Sequence, residues 1–268
     1  MFYHSDGNKL FYATLGTGPS VVLLHPTPVD HRFWLPLAPM LESRYQVILP
    51  DLRGHGQSEA GEGPITMAKL AADAVRLLDE LGLSTAIFAG CSIGGYTLYE
   101  LWRTAPARIR ALAFCSSKPQ ADDEAAKAKR QENIDKIRER GTADFIESTL
   151  QTVVGATARS RWPQKVAEAR EMMQAVRSDA MIAIQQGLAS RPDSVATART
   201  IRVPCCVVAG GEDPGSTPAD MRFLAEQIRN GGYGAEYHEL PDAGHFAPFE
   251  QPENVGRILR RFCDSVVG

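Results

Sequence analysis

The sequence predicts an α/β fold with a mostly parallel, doubly wound sheet. Short apolar runs such as residues 21–24 and 47–49 are typical of strands that are buried on both faces. These runs alternate with segments of helical periodicity, and such alternation implies parallel strands joined by right-handed crossovers. A chain of 268 residues is long enough for one domain of this kind with an insert.

Each predicted element follows from its local pattern. Residues 2–15 predict an N-terminal antiparallel hairpin, because an Asp-Gly-Asn turn sequence at residues 6–8 separates two strand-like runs. Residues 66–81 predict a helix in which apolar side chains recur at steps of three and four, with Thr66 as the cap and Gly82 as the stop. The other predicted core elements are strands at residues 86–89, 109–114, 203–209 and 235–240 and helices at residues 93–102, 218–229 and 252–267.

The alternation of strands and helices stops between Ser116 and Thr200. This segment has no strand-like run, is rich in Ala, Glu, Lys, Arg and Gln, and is interrupted by glycine and proline. A loop of this length without secondary structure would be unusual, so the pattern favours several short helices. We therefore expect a core formed by residues 1–115 and 201–268, with a helical insert at residues 116–200 lying on it.

Composition excludes several functional classes. The chain has 29 Lys and Arg against 32 Asp and Glu, without the basic excess that is usual in nucleic-acid-binding proteins. Its apolar runs are far shorter than the roughly 20 residues of a membrane span, and its first residues lack the pattern of a signal peptide. Five cysteines, mostly in apolar segments, are typical of reduced buried thiols. We expect a cytoplasmic protein that binds neither nucleic acid nor membrane; the sequence leaves a homo-oligomer open.

One short motif carries chemistry. Residues 90–94 read Gly-Cys-Ser-Ile-Gly, a G-x-S-x-G pattern between a predicted strand and a predicted helix. In this context the serine lies at the tip of a tight turn, which makes Ser92 a candidate nucleophile. The amide of Ile93 lies in the first helical turn, where it has no intrahelical acceptor, and is a candidate oxyanion donor. The alternative role for Ser92 is that of a helix cap.

Other segments accompany the serine motif, namely residues 24–28, 51–58, 210–213 and 243–245. Together with residues 90–95 they resemble the α/β-hydrolase superfamily, and within it the branch of 3-oxoadipate enol-lactonases and small carboxylesterases. The resemblance covers nearly the whole chain. It implies the α/β-hydrolase fold with a helical cap, and it does not specify one substrate.

A serine hydroxyl needs a base to accept its proton, and the base is oriented by a carboxylate. The superfamily has the chain order nucleophile, acid, histidine, which Ser92, Asp213 and His245 follow. Asp213 comes after a predicted strand, where open α/β sheets build their sites. Glu212 and Asp242 remain alternatives for the acid. Only His245 has the expected order and loop position among the histidines, the others being His4, His25, His31, His55 and His238.

The resemblance places the second oxyanion donor after the strand at residues 21–24. There the sequence reads His25-Pro26-Thr27-Pro28, whereas relatives often have His-Gly at the start of this loop. Because proline has no amide hydrogen, Thr27 is the only donor among residues 26–28. Its hydroxyl is also a candidate donor to the substrate, and the bond before either proline can be cis.

Large apolar side chains are candidates for a substrate pocket, with core packing as the alternative for each: Trp34, Phe145, Trp162, Met172 and Phe246. The arginines of the insert are expected mostly at the surface, although one of them can bind a substrate carboxylate. The arginines in question are Arg130, Arg138, Arg159 and Arg161.

The sequence therefore predicts a serine hydrolase that cleaves a carboxylic ester or lactone through an acyl-enzyme. We expect no metal and no cofactor, because zinc-ligand spacing and a complete dinucleotide loop are both missing. The expected partner is a small-molecule ester or lactone. Since one fold hosts many reactions, a carbon–carbon bond hydrolase or a cofactor-free perhydrolase remains an alternative, as does a ligand-binding receptor with low turnover.

Overall fold

The computed structural model describes residues 1–268. One sheet contains the strands β1 Phe2–Ser5, β2 Asn8–Leu15, β3 Ser20–Leu24, β4 Gln46–Pro50, β5 Ala86–Cys91, β6 Ile109–Cys115, β7 Cys205–Gly210 and β8 Ala235–Leu240. Their order in the sheet is β1-β2-β4-β3-β5-β6-β7-β8. β2 pairs antiparallel with β1 and with β4, and all the other pairs are parallel. The predicted fold class, including the N-terminal hairpin, is confirmed.

Twelve α-helices connect or cover the strands. They are α1 Pro39–Glu42, α2 Met67–Glu80, α3 Ile93–Thr104, α4 Glu124–Arg140, α5 Ala143–Val153, α6 Ala156–Arg161, α7 Pro163–Gln174, α8 Ser178–Ala189, α9 Val195–Ala198, α10 Pro218–Asn230, α11 Ala247–Glu250 and α12 Pro252–Val267. The α2 helix begins as its sequence predicts, with the Thr66 hydroxyl accepting a hydrogen bond from the Lys69 amide. Two short helices, α1 and α11, and a 3₁₀ turn at His31–Trp34 lie where the sequence predicts no element.

The sheet separates two apolar cores. Neighbouring residues of one strand point to opposite faces, so that Val22 packs in one core and Val21 in the other. The first core includes apolar residues of α2, α3 and α10, and the second includes residues of α1 and α12. Because helices cover both faces, the central strands β3 and β5 are buried along their whole length, as their unbroken apolar runs predict.

A buried ion pair joins the loop after β4 to α2. Arg53 donates from Nε to Asp73 Oδ2 at 2.9 Å and from Nη2 to Oδ1 at 2.6 Å. Both side chains are almost fully buried. Two parallel hydrogen bonds satisfy the planar guanidinium and carboxylate groups, which lowers the unfavourable free energy of burying their charges.

Helices α4 to α9 lie between β6 and β7, and no strand interrupts them. We propose that residues 116–200 form a cap over the carboxyl ends of the core strands, and we use the word cap for these residues. The apolar faces of α4 and α8 contact each other and the core through residues such as Ile137 and Ile184. None of the twelve helices has the length and apolar character required to cross a membrane. All five cysteines are buried, and none forms a disulfide.

Candidate active site

Ser92 lies in the turn between β5 and α3 with a strained backbone. Its φ of 52° and ψ of −118° are uncommon for a residue with a side chain. Such a conformation costs about 1–3 kcal/mol and persists only where its surroundings hold it in place. Here the Ser92 amide donates to the Cys115 carbonyl oxygen at 3.1 Å, and the Ser92 carbonyl oxygen accepts from the Tyr96 amide at 2.8 Å. The turn projects Ser92 toward the cavity described below.

Two glycines allow the turn to be this tight. A Cβ atom at Gly90 would lie 2.4 Å from the carbonyl carbon of Gly94. A Cβ atom at Gly94 would lie 2.2 Å from the carbonyl oxygen of Leu24, the last residue of β3. Side chains at either position would therefore collide with backbone. The first turn of α3 packs directly against the strand end from which the loop containing Thr27 continues.

His245 and Asp213 form a hydrogen-bonded pair on the loops after β8 and β7. The distance between His245 Nδ1 and Asp213 Oδ2 is 2.8 Å. The other carboxylate oxygen, Oδ1, accepts from the amides of Gly215 at 2.8 Å and Ser216 at 3.1 Å. These bonds fix the carboxylate, so that Nδ1 of the imidazole carries the proton and Nε2 is the acceptor.

The charges of this pair reinforce each other. Burial alone would raise the pKa of Asp213, but the charge and hydrogen bond of His245 and two backbone amides outweigh it, and the net pKa is lowered. Burial alone would lower the pKa of His245, but the charge and hydrogen bond of Asp213, with a contribution from Glu250, bring it above its ordinary value. An imidazolium at this position is thus stabilised by a carboxylate that stays ionised.

The two alternative candidates for the acidic partner of His245 have other surroundings. Both carboxylate oxygens of Glu212 accept hydrogen bonds from Thr157 in the cap. The Asp242 side chain is exposed. Asp213 is the acidic residue whose carboxylate bonds to the His245 imidazole.

Two other histidines brace the loops around the site. His25 Nε2 accepts from the Leu52 amide at 2.9 Å, and His25 Nδ1 faces the Pro26 carbonyl oxygen at 2.8 Å. His55 Nδ1 faces the Arg53 carbonyl oxygen at 3.1 Å, which leaves Nε2 as an acceptor. Burial, with a contribution from the nearby His25, lowers the pKa of His55 to about 3, so this ring is neutral.

Thr27 lies at the edge of the cavity, in the loop after β3. The bond between Thr27 and Pro28 is cis. Thr27 Oγ1 lies 3.0 Å from His55 Nε2, to which it donates its proton. The Thr27 amide donates to no acceptor within the protein. The hydroxyl is therefore used for bracing the loop, while the amide stays available to a ligand. The amide of Ile93 opens α3 and, by its place in the first turn, has no intrahelical acceptor.

A cavity of about 440 Å³ brings these residues together. Thr27, Ser92, Asp213 and His245 line its core side together with four neighbouring core residues, and residues of the cap line the rest. The four neighbours are Pro28, Tyr96, Pro214 and Gly215. Of its 19 lining residues, 5 are hydrophobic. The site is thus a polar cavity between the core and the cap.

Of the five side chains predicted for the pocket, Phe145 lines this cavity. The other four do not line it. Trp34 and Phe246 are fully buried in the second core, where Phe33 packs edge-on against both rings. Met172 and Trp162 line two other surface depressions. A large apolar residue looks the same in sequence whether it faces a core or a cavity.

Apart from Arg130, the cationic and anionic side chains that line the cap side of the cavity are not identified by a sequence pattern. Lys118 lines it and forms no ion pair. Arg130 lines it as well and bonds to Asp122, which also accepts from Arg191 Nη2 at 3.0 Å. The position of Lys118 shortly after β6, at the carboxyl end of a parallel strand, is the signal that could have identified it.

Two groups of side chains outside the cavity place potential metal ligands close together. One consists of Cys206, Glu236 and His238, and the other of Asp30, His31 and Asp51. Within each group the histidine already bonds to a carboxylate: His238 Nε2 lies 3.1 Å from Glu236 Oε2, and His31 Nδ1 lies 2.7 Å from Asp51 Oδ1. Neither group contributes a residue to the cavity.

The strand order, the helices on both faces and the serine turn after β5 define an α/β-hydrolase fold. A family model described as alpha/beta hydrolase fold matches residues 19–252, and the chain belongs to this family.

Similar proteins agree with this membership. The chain is 28% identical to 3-oxoadipate enol-lactonase 2 of Acinetobacter baylyi over 94% of both chains. Among solved structures, it is similar to a thermophilic esterase from Thermogutta terrifontis with malate bound (TM-score 0.93, 29% identity, 99% of this chain and 97% of that one). It is also similar to the enol-lactonase from Burkholderia xenovorans LB400 (TM-score 0.91, 28% identity, 98% of this chain and 100% of that one). The resemblance drawn from the sequence is confirmed, and the predicted class of carboxylic ester hydrolase is consistent with these relatives.

Proposed function

We propose that the protein hydrolyses a carboxylic ester or lactone through an acyl-enzyme on Ser92. The observation that carries the proposal is the hydrogen bond of 2.8 Å between His245 and Asp213, in the same cavity to which the strained Ser92 turn points. The similarity to enol-lactonases and an esterase over nearly the whole chain supports the reaction type.

In the first half of the reaction, Ser92 Oγ attacks the substrate carbonyl carbon while His245 Nε2 accepts the hydroxyl proton. The amides of Thr27 and Ile93 donate to the oxyanion, and Asp213 stabilises the imidazolium. The tetrahedral species collapses as the bond to the leaving oxygen breaks, and His245 returns the proton to that oxygen. The product of this half is the acyl ester of Ser92; with a lactone, the released alcohol stays attached to the acyl chain.

In the second half, His245 accepts a proton from water as the water oxygen attacks the acyl carbon. The same two amides bind the second oxyanion. Collapse releases the carboxylic acid and returns the proton to Ser92. Each oxyanion donor of this kind contributes about 3–4 kcal/mol to the stabilisation of the transition state in hydrolases that have been tested.

The charges of the cavity favour an anionic substrate. Lys118 has no carboxylate partner, and Asp122 is already bound by Arg130 and Arg191. The other three arginines that the sequence singled out do not line the cavity, so Arg130 is the cap arginine that fits a substrate carboxylate. We assign Lys118 and Arg130 to the recognition of a carboxylate on the acyl or alcohol portion of the substrate.

The test compares the parent protein with Ser92→Ala on short p-nitrophenyl esters. We expect turnover in the parent and none above background in the variant. Equal turnover in both refutes the serine mechanism. Tight ligand binding with negligible turnover over a broad panel of esters and lactones would instead favour a receptor.

Substrate charge is tested with p-nitrophenyl acetate and the mono-p-nitrophenyl ester of succinate. Lys118→Ala should raise KM for the succinate ester about fivefold, which corresponds to about 1 kcal/mol, and leave the acetate ester unaffected. The matched control is Lys127→Ala, which removes an exposed lysine of α4 outside the cavity. An equal change with both esters would contradict the assignment of Lys118.

A further inference from the structure

One turn of the cap contacts the loops that carry both Asp213 and His245. This segment, residues 153–157, joins α5 to α6, and we call it the cap turn. The Glu250 carboxylate oxygen Oε2 accepts from the Gly155 amide of the cap turn at 3.1 Å and from the Gly244 amide at 2.9 Å. Since Gly244 precedes His245, a single oxygen atom links the cap to the histidine loop.

A second set of bonds links the cap turn to the acid loop. Glu212, which precedes Asp213, accepts from the Thr157 amide at 2.9 Å and from the Thr157 hydroxyl at 2.5 Å. In addition, the Phe246 amide donates to the Val153 carbonyl oxygen at 3.0 Å. The chain neighbours of the acid and of the base are thus bound to the same five residues of the cap.

The contact between the cap turn and the loop that carries His245 leaves no room for a side chain. A Cβ atom at Gly155 would lie 2.7 Å from the Gly244 nitrogen and 2.8 Å from Glu250 Oε2. A Cβ atom at Gly244 would lie 2.3 Å from the Gly155 nitrogen. The separation between cap turn and histidine loop is therefore set by direct backbone contact, so a shift of the cap turn is transmitted to His245.

We propose that Glu250 is a positioning residue that holds the His245 loop against the cap turn and places a buried carboxylate beside that loop. This inference rests on the proposed function, because it assigns Glu250 a role through His245. It also gives the cap a role beyond covering the cavity, since the cap turn becomes part of the support of the catalytic base.

The surroundings of Glu250 support both parts of the proposal. Its side chain is buried, and Oε1 has no hydrogen-bond partner. Burial, with a smaller contribution from the charge of nearby Glu212, raises the pKa of Glu250 to about 7 against the lowering effect of the backbone amides that it binds. The charge of Glu250 in turn raises the pKa of His245. The titratable and charged groups around Glu250 and His245 are Glu212, Asp213, Cys91, Lys118, Lys165, Arg161, Asp242 and Glu253. Among them, the charge of Lys118 acts against that of Glu250 and lowers the pKa of His245.

Two variants separate charge from geometry. Glu250→Gln keeps an oxygen that can accept both amides and removes the charge, so the acid limb of the kcat/KM profile should move to lower pH by about half a unit. Gly155→Ala keeps the charge and forces the contact apart, so kcat should fall about tenfold without a shift of the limb. The matched control is Glu253→Gln, which removes an exposed carboxylate three residues away and should change neither quantity.

The His245 ring, followed by NMR across pH, provides a readout that does not depend on turnover. Its pKa should be lower in Glu250→Gln than in the parent and unchanged in Glu253→Gln. The positioning role is overturned if the pKa of His245 and the acid limb are the same in Glu250→Gln and parent, or if Gly155→Ala lowers only the melting temperature. Ser92→Ala in the same series separates this failure from failure of the proposed function, which it would reveal by retaining turnover.

Discussion

Gly94→Ala tests whether the first turn of α3 and the end of β3 together set the geometry of the site. The added Cβ would lie 2.2 Å from the Leu24 carbonyl oxygen and 2.7 Å from its carbonyl carbon. Both atoms belong to backbone, so relief requires the turn and the strand end to separate by about 1 Å. Ser92 lies on one side of this contact, and the chain from Leu24 to Thr27 on the other. We expect kcat/KM to fall about 100-fold, because an error of this size in the position of reacting groups has that effect.

The free energy of unfolding should fall as well. The sign of its change shows which of two opposing effects is larger. Alanine is a better helix former than glycine by about 1 kcal/mol, which favours the variant. Overpacking opposes it by about 1–3 kcal/mol. A lower free energy of unfolding would show that the overlap outweighs helix propensity. The measurements are ester hydrolysis at several substrate concentrations and urea unfolding followed by circular dichroism.

Gly256→Ala is the matched control. It also adds a Cβ to a helix glycine in a close contact, 2.3 Å from the Met40 sulfur, but this contact is with the flexible end of a side chain and lies outside the cavity. We expect its kcat/KM to equal that of the parent. The reasoning is refuted if Gly94→Ala also retains kcat/KM within about threefold of the parent, or if both variants lose activity to the same extent.

Three other predictions concern His245, its partner Asp213, and the buried ion pair between Arg53 and Asp73. The kcat/KM profile should fall on the acid side with an apparent pKa above the ordinary histidine value of 6.5, because only neutral His245 accepts a proton and the pKa of this group is raised; a limb centred below 6.5 would contradict this. Asp213→Asn should lower kcat about 10³- to 10⁴-fold with little change in melting temperature, because the imidazole loses its orienting carboxylate. A loss of less than tenfold in the same assay would exclude Asp213 as the acid. Asp73→Ala leaves Arg53 buried without its main partner. The free energy of unfolding, measured by urea titration, should therefore fall by about 3–5 kcal/mol, and a fall below about 1 kcal/mol would contradict the prediction.

Local patterns predict most of the core. The strands at residues 21–24 and 86–89 and the helix at residues 66–81 are recovered within one to two residues at most ends, because their burial is reflected directly in apolar periodicity. The 3₁₀ turn at His31–Trp34 and the short helix α11 are not predicted. Four residues are too few to show a period, and the stacking of Phe33 on Phe249 that joins the two turns is a contact between residues far apart in the sequence.

The candidate site also contains features that the sequence predicts and features that it does not. The serine turn and the chain order of Ser92, Asp213 and His245 are local and sequential features, so the sequence contains them. The pocket lining depends on which side of a helix meets the cavity, and for that reason the sequence leaves both the pocket and the core open for Trp34, which packs in the core. The contacts of Glu250 with the cap turn join residues that are 95 positions apart, and no spacing rule predicts them.

Trapping the acyl-enzyme tests the central claim most directly. The protein is mixed with excess p-nitrophenyl ester and quenched in acid within the first turnover, and the intact mass and peptide masses are then measured. We predict one acyl group per chain, on the peptide that contains Ser92, and none in Ser92→Ala. An acyl group on another residue, or an unchanged rate of ester hydrolysis in Ser92→Ala, would contradict the mechanism.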